Sequence, residues 1–228
     1  MKADHLRLLA HLEQFVSESR MKTIDRVLNL RTRHITVVLE DIFQSQNASA
    51  VIRTCECMGV QDIHIIEQRS KYSLNPRVLK GSNKWMTFYR YDDKRINNTK
   101  MCFDRLRENG YRVLVTDPAE DGKSIHEFDF SGDKKIAIVF GNELRGISPF
   151  GIDYADEKVK IPMFGFTESL NISVSVAICL NTLIRKLHEQ REYSGLSEED
   201  RLAIKLDWYR KIVRRSDLIE KEFLRTIE

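Results

Sequence analysis

Short apolar runs and amphipathic segments alternate along the centre of the chain. Residues 36–39 (TVVL) form an apolar run that predicts a buried strand. Residues 48–58 predict a helix that is closed by Gly59 and has N-cap chemistry in residues 45–47. Residues 63–66 are a second apolar run, so a short crossover joins two buried strands. This order is typical of a parallel sheet that carries helices on its faces.

The same alternation continues toward the C-terminus. Residues 101–109 predict a helix, while residues 111–115 and 136–140 predict a third and a fourth strand. A helix over 171–187 is apolar on all sides, so we expect it in the core or in a subunit interface. The sequence therefore predicts an α/β fold with a Rossmann-like parallel sheet.

The two ends of the chain predict helices and carry clusters of basic residues. Apolar residues recur at near-helical spacing within residues 3–19, and a basic segment, 20–33, follows them. The sequence SEED at 197–200 is a capping box that begins a last helix. We expect an N-terminal helical and basic extension, a central domain and a C-terminal basic helical extension, with the bounds 1–34, 35–190 and 191–228.

Residues 68–105 have no clear period, and basic residues in this segment alternate with aromatic ones. Cations bind phosphates and aromatic rings stack on bases, so this composition suits RNA. The alternative is an irregular loop whose rings pack on the sheet. The sequence leaves both interpretations open for Tyr72, Trp85, Phe88, Tyr89 and Tyr91.

Composition and charge narrow the class of protein only slightly. The 228 residues suffice for a core that needs no disulfide or metal, and a net charge of +3 matters less than its distribution. Charges interrupt every apolar run near the N-terminus, so we expect neither a signal peptide nor a membrane span. The four cysteines include no CxxC pair and no neighbouring histidine cluster. We therefore expect reduced thiols, a cytoplasmic protein and no metal.

Several common enzyme motifs are absent from the sequence. The loop 141–146 is not GxGxxG, and no GxxxxGK[ST] segment occurs, which argues against standard dinucleotide and phosphate loops. No GxSxG segment occurs either, and no histidine follows a predicted strand near a serine. Dehydrogenase, kinase and serine hydrolase functions are therefore disfavoured.

Three segments carry a more specific signal. They are residues 47–53 (NASAVIR), residues 139–147 (VFGNELRGI), and residues 161–163 (IPM) with 168–174 (ESLNISV). In order and spacing they resemble the three motifs of the SpoU branch of the SPOUT RNA methyltransferases, over most of residues 35–187. The resemblance implies a sheet whose C-terminal end forms a deep trefoil knot, and a cofactor, S-adenosyl-L-methionine, bent between the knot loops. It also implies a homodimer with a shared active site and methyl transfer to a ribose 2′-hydroxyl.

The resemblance assigns roles to individual residues. The expected catalytic residues are Asn47, Arg53, Glu143, Ser169 and Asn171, and the expected cofactor-binding residues are Thr116, Gly141, Asn142, Ile161, Met163 and Leu170. Arg53 is a general base or a phosphate clamp that lowers the pKa of the hydroxyl, and the clamp is chemically easier because guanidinium stays protonated. Helix capping is the alternative role for Asn47, Ser169 and Asn171.

Basic residues outside the catalytic set predict the RNA contacts. They are Arg20, Arg26, Arg31, Arg145, Arg210, Lys211 and Arg214, for which a solvated surface is the alternative. The short N-terminal extension and the basic ends resemble the subgroup that methylates a tRNA guanosine in the D-loop, so tRNA is the expected partner. Two alternatives stay open: 2′-O-methylation of ribosomal RNA or of another tRNA position, and a non-catalytic RNA-binding module.

Overall fold

The chain forms two compact units in the computed structural model, which describes residues 2–69, 74–79, 81–118, 122–129, 135–190 and 195–227. One unit combines Met1–Arg31 with Ser194–Glu228, and the other is Thr32–Tyr193. Within the described ranges, no helix has the length and apolar character needed to cross a membrane. Tyr72, one of the aromatic residues considered for RNA binding, lies outside the described residues.

A parallel sheet of seven strands, as far as the chain is described, organises the unit Thr32–Tyr193. The strands are β1 (Ile35–Glu40), β2 (Asp62–Ile66), β3 (Thr87–Tyr91), β4 (Tyr111–Thr116), β5 (Lys123–Ser124), β6 (Lys135–Phe140) and β7 (Glu157–Lys160). Their order is β3-β2-β1-β6-β4-β7-β5, and every neighbouring pair is parallel. The predicted parallel α/β core is confirmed.

The described helices follow in chain order. They are α1 (Lys2–Glu13), α2 (Glu18–Leu28), α3 (Ser45–Cys57), α4 (Pro76–Leu79), α5 (Asn98–Glu108), α6 (Pro149–Asp153), α7 (Ile172–Glu189), α8 (Glu198–Ile212) and α9 (Ser216–Ile227). A 3-10 helix, Ser82–Trp85, precedes β3. Helix α3 begins at Ser45 rather than at the predicted residue 48, and α5 begins at Asn98 rather than at 101.

Both faces of the central strands are covered by helices. On one face Val37 and Ile138, which pair in register, pack with side chains of α3 and α7, including Ile52 and Leu180. On the other face Val139 packs with residues of α5. Strands buried on both faces read as continuous apolar runs, which is why β1 and β6 were predictable. Helix α7 buries one face in this core but leaves Val174 45% exposed, so it is not buried on all sides.

The segment 68–105 contains a strand that the sequence analysis missed. β3 pairs with β2 at the edge of the described sheet. Its aromatic and charged residues (TFYRY) hide the apolar alternation that marks a half-buried strand. Tyr89 and Tyr91 stack on the ring of His64, at centroid distances of 4.7 and 5.9 Å. For these two tyrosines the structure favours packing on the sheet over contact with RNA.

Helices from both ends of the chain form one unit, not two separate extensions. α1 ends at Glu13, and Ser17 caps a second helix, α2, which contains most of the basic segment. Lys205 of α8 forms ion pairs with Glu13 of α1 at 3.2 Å and with Asp25 of α2 at 2.8 Å. These ion pairs join α1, α2 and α8. This arrangement brings residues nearly 200 positions apart into one helical unit.

The prediction that Arg31 binds RNA is wrong. Arg31 is only 1% exposed, and its guanidinium lies over the ring of Trp208, 5.4 Å from the ring centroid. Trp208 is itself buried. A guanidinium stacked on an indole is a cation–π contact. Because the Arg31 side chain is almost wholly buried, an external phosphate cannot reach it. Arg31 therefore stabilises the helical unit.

His64 on β2 is a buried histidine with an altered titration. It is 5% exposed, and its Nδ1 shares a 3.0 Å hydrogen bond with the Tyr91 hydroxyl. Burial first, and the nearby Arg105 guanidinium second, lower the pKa of His64 from 6.5 to about 3. Between these values the unfolded chain binds the proton and the folded chain does not. Stability from His64 is therefore full above pH 6.5 and falls as the pH is lowered toward 3.

We expect His64→Gln to flatten the pH dependence of stability in acid. In the wild type His64 contributes a slope of up to about 1.4 kcal/mol per pH unit below its unfolded pKa, and glutamine contributes none. Urea unfolding at several pH values between 4 and 7 measures both slopes. The exposed His126, changed to glutamine, is the control and should leave the slope as it is. Equal slopes for the wild type and His64→Gln would contradict this interpretation.

Candidate active site

One cavity lies where three loops leave the carboxyl edge of the sheet. The loops follow β4, β6 and β7 and contribute residues 116–118, 141–144, 146–147, 161, 163 and 168–171, together with the first turns of α3 and α7. The cavity has a volume of about 560 Å³. In the sheet, β2 and β3 follow β1 on one side, and β6 and β4 lie on the other side of β1. Open parallel sheets bind ligands at such a point, where the strand order reverses.

The side chain of Asn47 connects the three segments that the sequence analysis grouped. Its Nδ2 donates to Oε1 of Glu143 at 2.9 Å, and Nδ2 of Asn171 donates to its Oδ1 at 3.1 Å. Oδ1 of Asn171 also accepts the backbone N–H of Ser173 at 2.9 Å. The second carboxylate oxygen of Glu143 accepts the backbone N–H of Phe43 at 3.4 Å. One network therefore joins α3, the loop after β6 and the start of α7.

Helix capping was the alternative role for Asn47, Ser169 and Asn171, and the structure shows it only for Asn171. Gln44 occupies the N-cap of α3, so Asn47 lies inside the first turn and does not cap the helix. Asn171 does cap α7, and the same side chain still reaches Asn47. Ser169 lines the cavity three residues before α7 begins, so it is not a cap. The network and the capping role thus coexist only at Asn171.

The loop after β6 is closed by its own backbone. The N–H of Asn142 donates to the carbonyl of Gly146 at 2.9 Å, and the N–H of Gly146 donates back at 2.8 Å. A Cβ on Gly141 would lie 2.3 Å from the backbone of Gly146 and Ile147, so only glycine fits there. Nδ2 of Asn142 donates to the carbonyl of Asp41 at 2.7 Å, which fixes the loop to the end of β1. The side chain of Asn142 thus shapes the cavity wall.

All six residues predicted to bind the cofactor line this cavity. They are Thr116, Gly141, Asn142, Ile161, Met163 and Leu170. The hydroxyl of Thr116 donates to the carbonyl of Val139 at 2.9 Å, so it ties the end of β4 to β6. Asp117, Lys160 and Glu168 also line the cavity and were not predicted from the sequence. Asp117 and Lys160 flank strand ends, and the strand-end rule could have found them.

Arg53 occupies a different position from the rest of the catalytic set. It lies on α3 two turns after Asn47 and is exposed, and it is not among the residues that line the cavity. Among the residues that the structure describes, its guanidinium has no hydrogen bond or ion pair. The structure thus brings Asn47, Glu143, Ser169 and Asn171 together and leaves Arg53 available to an external anion.

The residues predicted to bind RNA are divided between the two units. Arg145 is exposed in the loop after β6. In the helical unit Arg20, Arg26 and Arg214 are exposed. Arg210 and Lys211 are engaged by carboxylates, at 2.5 Å from Glu220 and 2.5 Å from Asp207 respectively. An RNA phosphate would have to compete with those carboxylates. In the described ranges no group of three or more potential metal ligands occurs.

A parallel sheet with a loop-enclosed cavity at its carboxyl edge defines a ligand-binding α/β protein, and comparison with known proteins identifies its family. Residues 34–181 match the model of the SpoU rRNA Methylase family, and the chain belongs to that family. It is 42% identical to the tRNA (guanosine(18)-2′-O)-methyltransferase of Borreliella burgdorferi, over 96% of this chain and 98% of the relative. A protein of the same name from Thermus thermophilus is 32% identical over 86% of this chain and 98% of the relative.

Solved structures lead to the same family. The A. aeolicus TrmH/SpoU tRNA modifying enzyme superposes with a TM-score of 0.75 at 30% identity, covering 87% of this chain and 98% of that chain. A structure described as concerning the 2-OH methylation of C/U34 on tRNA superposes with a TM-score of 0.56 at 25% identity, over 68% of this chain and 97% of that chain. The sheet and the cavity loops thus belong to a known methyltransferase architecture.

We expect Gly141→Ala to destabilise the protein and to weaken binding of S-adenosylmethionine. The added methyl group has no room, and relief of the clash should cost about 2 kcal/mol and move the loop that lines the cavity. Gly165→Ala is the matched control, because a Cβ there meets nothing within 4 Å. Urea unfolding and calorimetric titration with the cofactor measure both effects. The close-packing argument is contradicted if the two variants have the same stability and affinity.

Proposed function

We propose that the protein transfers the methyl group of S-adenosylmethionine to a ribose 2′-hydroxyl of tRNA, at a guanosine of the D-loop. The observation that carries the proposal is the Asn47–Glu143–Asn171 network, which unites the three family motifs at one cavity. Relatives that align along nearly the whole chain are named for 2′-O-methylation of guanosine 18 in tRNA, which supports both the reaction and the substrate. A binding module without activity would not need this network.

The lining of the cavity suits S-adenosylmethionine. Ile161, Met163 and Leu170 provide an apolar surface for an adenine ring, and a cavity of about 560 Å³ lies in the usual range for ligands of this size. Asp117, Glu143 and Glu168 bring carboxylates to the same cavity, which favours a cationic ligand. When bound, the cofactor supplies an electrophilic methyl group on its sulfonium sulfur. The ribose 2′-hydroxyl would lose its proton to solvent and its oxygen would take the methyl group, while the methyl–sulfur bond breaks and S-adenosylhomocysteine leaves with an uncharged thioether sulfur.

Arg53 acts as a phosphate clamp in this proposal. A guanidinium stays protonated in proteins, so it is a poor general base. As a cation beside the target nucleotide it holds a phosphate and lowers the pKa of the 2′-hydroxyl by favouring the alkoxide. Its exposure and its lack of a partner among the described residues support this role. Glu143 orients Asn47, and Asn47 and Asn171 then orient the ribose by hydrogen bonds.

Methylation of unmodified tRNA transcripts tests the function, with the modified ribose mapped by primer extension. We expect one 2′-O-methyl group at a D-loop guanosine. Methylation of ribosomal RNA, which the family description names, or of another tRNA position such as the one in the C/U34 structure would replace the substrate assignment. A chain that binds tRNA but transfers no methyl group would be a binding module, and the enzymatic proposal would be wrong.

In the same assay Arg53→Ala should lower the rate of transfer by about a hundredfold or more, because it removes a charge that acts at the reacting group. Affinity for S-adenosylmethionine should stay the same, because Arg53 does not line the cavity. Arg77→Ala, an exposed arginine on α4, is the control and should retain the rate. Loss of cofactor binding in Arg53→Ala would rule out the clamp.

We propose a homodimer whose two copies share their active sites. Large apolar side chains are exposed around the cavity loops: Leu144 is 87%, Phe164 99% and Phe166 109% exposed. Exposed apolar clusters of this kind mark association surfaces. Light scattering should give a dimer, and Phe164→Asp with Phe166→Asp should give a monomer with little activity. Leu30→Asp, at a 60% exposed position in the helical unit, is the control and should leave the dimer intact. A fully active monomer would contradict the shared site.

The deep trefoil knot is a further part of the proposal. Its support is the joint lining of one cavity by the loops after β6 and β7, and the similarity to the TrmH/SpoU structure. A crystal structure with the cofactor bound traces the chain and tests the knot.

We also place the protein in the cytoplasm, which suits a tRNA substrate and the four free cysteines. Cell fractionation tests this location.

We propose that the helical unit provides a second contact with tRNA, through the exposed Arg20, Arg26 and Arg214. Arg210 and Lys211 contribute less, because their ion pairs must first be broken. Arg26→Ala with Arg214→Ala should weaken tRNA binding in filter assays and leave cofactor affinity unchanged. Lys22→Ala, whose ammonium pairs with Glu18 at 2.6 Å, is the control. Unchanged tRNA affinity in the double variant would exclude this role.

A further inference from the structure

A second cleft of about 860 Å³ opens beside the cavity at the same edge of the sheet. Its floor is formed by residues that follow β1, β2 and β3, including Asp41, Arg69 and Lys94. The loop after β6 separates it from the cavity, because Asn142, Leu144, Gly146 and Ile147 border both spaces. We call it the β1–β3 cleft. It uses the half of the sheet edge that the proposed cofactor site leaves free.

The β1–β3 cleft carries an excess of positive charge. Its cations are Arg69, Lys94, Arg95 and Arg145, and its carboxylates are Glu40 and Asp41. Asp93, next to the lining, pairs with Arg95 at 2.9 Å. In the described part of the chain, the side chains of Arg69, Lys94 and Arg145 have no hydrogen-bonding or ion-pair partner. Three cations on three different loops are therefore available to an external anion.

Both carboxylates in the cleft are engaged by internal hydrogen bonds. Glu40 is 2% exposed and accepts the backbone N–H of Ser148 at 2.8 Å and the hydroxyls of Ser148 and Thr99. Oδ1 of Asp41 accepts the backbone N–H groups of Gln68 and Arg69, each at 2.8 Å. These hydrogen bonds fix the loops that form the cleft. The cations nevertheless face solvent, where an anion can reach them.

Phe43 exposes its ring in the cleft and joins the catalytic network through its backbone. Phe43 lines the cleft and is 68% exposed, while its backbone N–H donates to Glu143 at 3.4 Å. Rings exposed beside cations are typical of surfaces that bind single-stranded nucleic acid, since bases stack on rings and phosphates pair with cations. Cations that are spread over several loops suit an extended polyanion better than a single phosphate, which needs converging donors.

We propose that the β1–β3 cleft binds the RNA strand that adjoins the methylated nucleotide, with phosphates on Arg69, Lys94 and Arg145 and a base on Phe43. The proposal rests on the proposed function, since the strand belongs to the same tRNA. It adds the path of the substrate: the RNA enters along one half of the sheet edge and reaches the cofactor across the loop after β6. Because Arg145 lies in this loop, which also borders the cofactor cavity, Arg69 and Lys94 are better positions for a test.

The experiment compares Arg69→Ala/Lys94→Ala with Arg77→Ala/Lys84→Ala, which removes two exposed cations that line neither space. Filter binding of an unmodified tRNA transcript is measured over a range of salt concentrations. The first variant should bind about tenfold more weakly, with a salt slope smaller in magnitude by about 1.4, because each phosphate contact to a single strand contributes about 0.7 to the slope. The control should match the wild type. Calorimetry should give the same affinity for S-adenosylmethionine in all proteins.

Phe43→Ala separates stacking from charge. Loss of one stacked base should weaken tRNA binding about fivefold or more without a change in salt slope. If Arg69→Ala/Lys94→Ala keeps the affinity and slope of its control, the cleft does not bind RNA and the proposal is overturned. A lower affinity with an unchanged slope in that variant would also overturn it, since the contacts would not be phosphates. If Phe43→Ala dissociates the dimer and retains tRNA affinity, the stacking contact is wrong.

Failure of the proposed function gives a different result. If the wild type methylates another RNA or none while Arg69→Ala/Lys94→Ala still loses tRNA affinity and salt slope relative to its control, the function is overturned and the cleft is supported. Wild-type protein that methylates tRNA while both double variants bind equally well supports the function and overturns the cleft.

Discussion

The candidate site depends on one side-chain amide, that of Asn47. An amide can donate and accept at the same time, and Asn47 donates to Glu143 while it accepts from Asn171. The bond to the carboxylate is charge-assisted, and such bonds contribute about 1.5–3 kcal/mol each. No two of the three residues are close in sequence. This network is therefore a tertiary constraint that fixes two loops and a helix N-terminus relative to one another.

The sheet supplies the rigid base for that constraint. β1 and β6 pair with Leu39 opposite Phe140, so the chain leaves both strands at the same level and Asn142 reaches the carbonyl of Asp41. Buried helices on both faces hold these strand ends in place. The loops at the edge can then carry polar groups that the core could not accept without partners. The sheet thus provides a fixed base for the loops at its carboxyl edge, and both the cofactor cavity and the β1–β3 cleft lie at that edge.

The sequence was sufficient for the central core because its signals are local. The apolar runs of β1, β2, β4 and β6 identify strands that are buried on both faces. β3 was missed, since an edge strand of alternating aromatic and charged residues resembles a basic loop. Arg31 was misassigned because its burial depends on Trp208, 177 positions away, and no local pattern reports that contact. The grouping of Asn47 with Glu143 and Asn171 came from the resemblance to a family and not from periodicity.

A double-mutant cycle on Asn47 and Glu143 tests the central claim most directly. The rate of tRNA methylation at saturating cofactor is measured for Asn47→Ala, Glu143→Ala and the double variant. Residues that act as one unit give strongly non-additive losses. We expect the double variant to be about as slow as the slower single variant, because either change breaks the same network. Losses that multiply would show that the two residues act independently and would contradict the account.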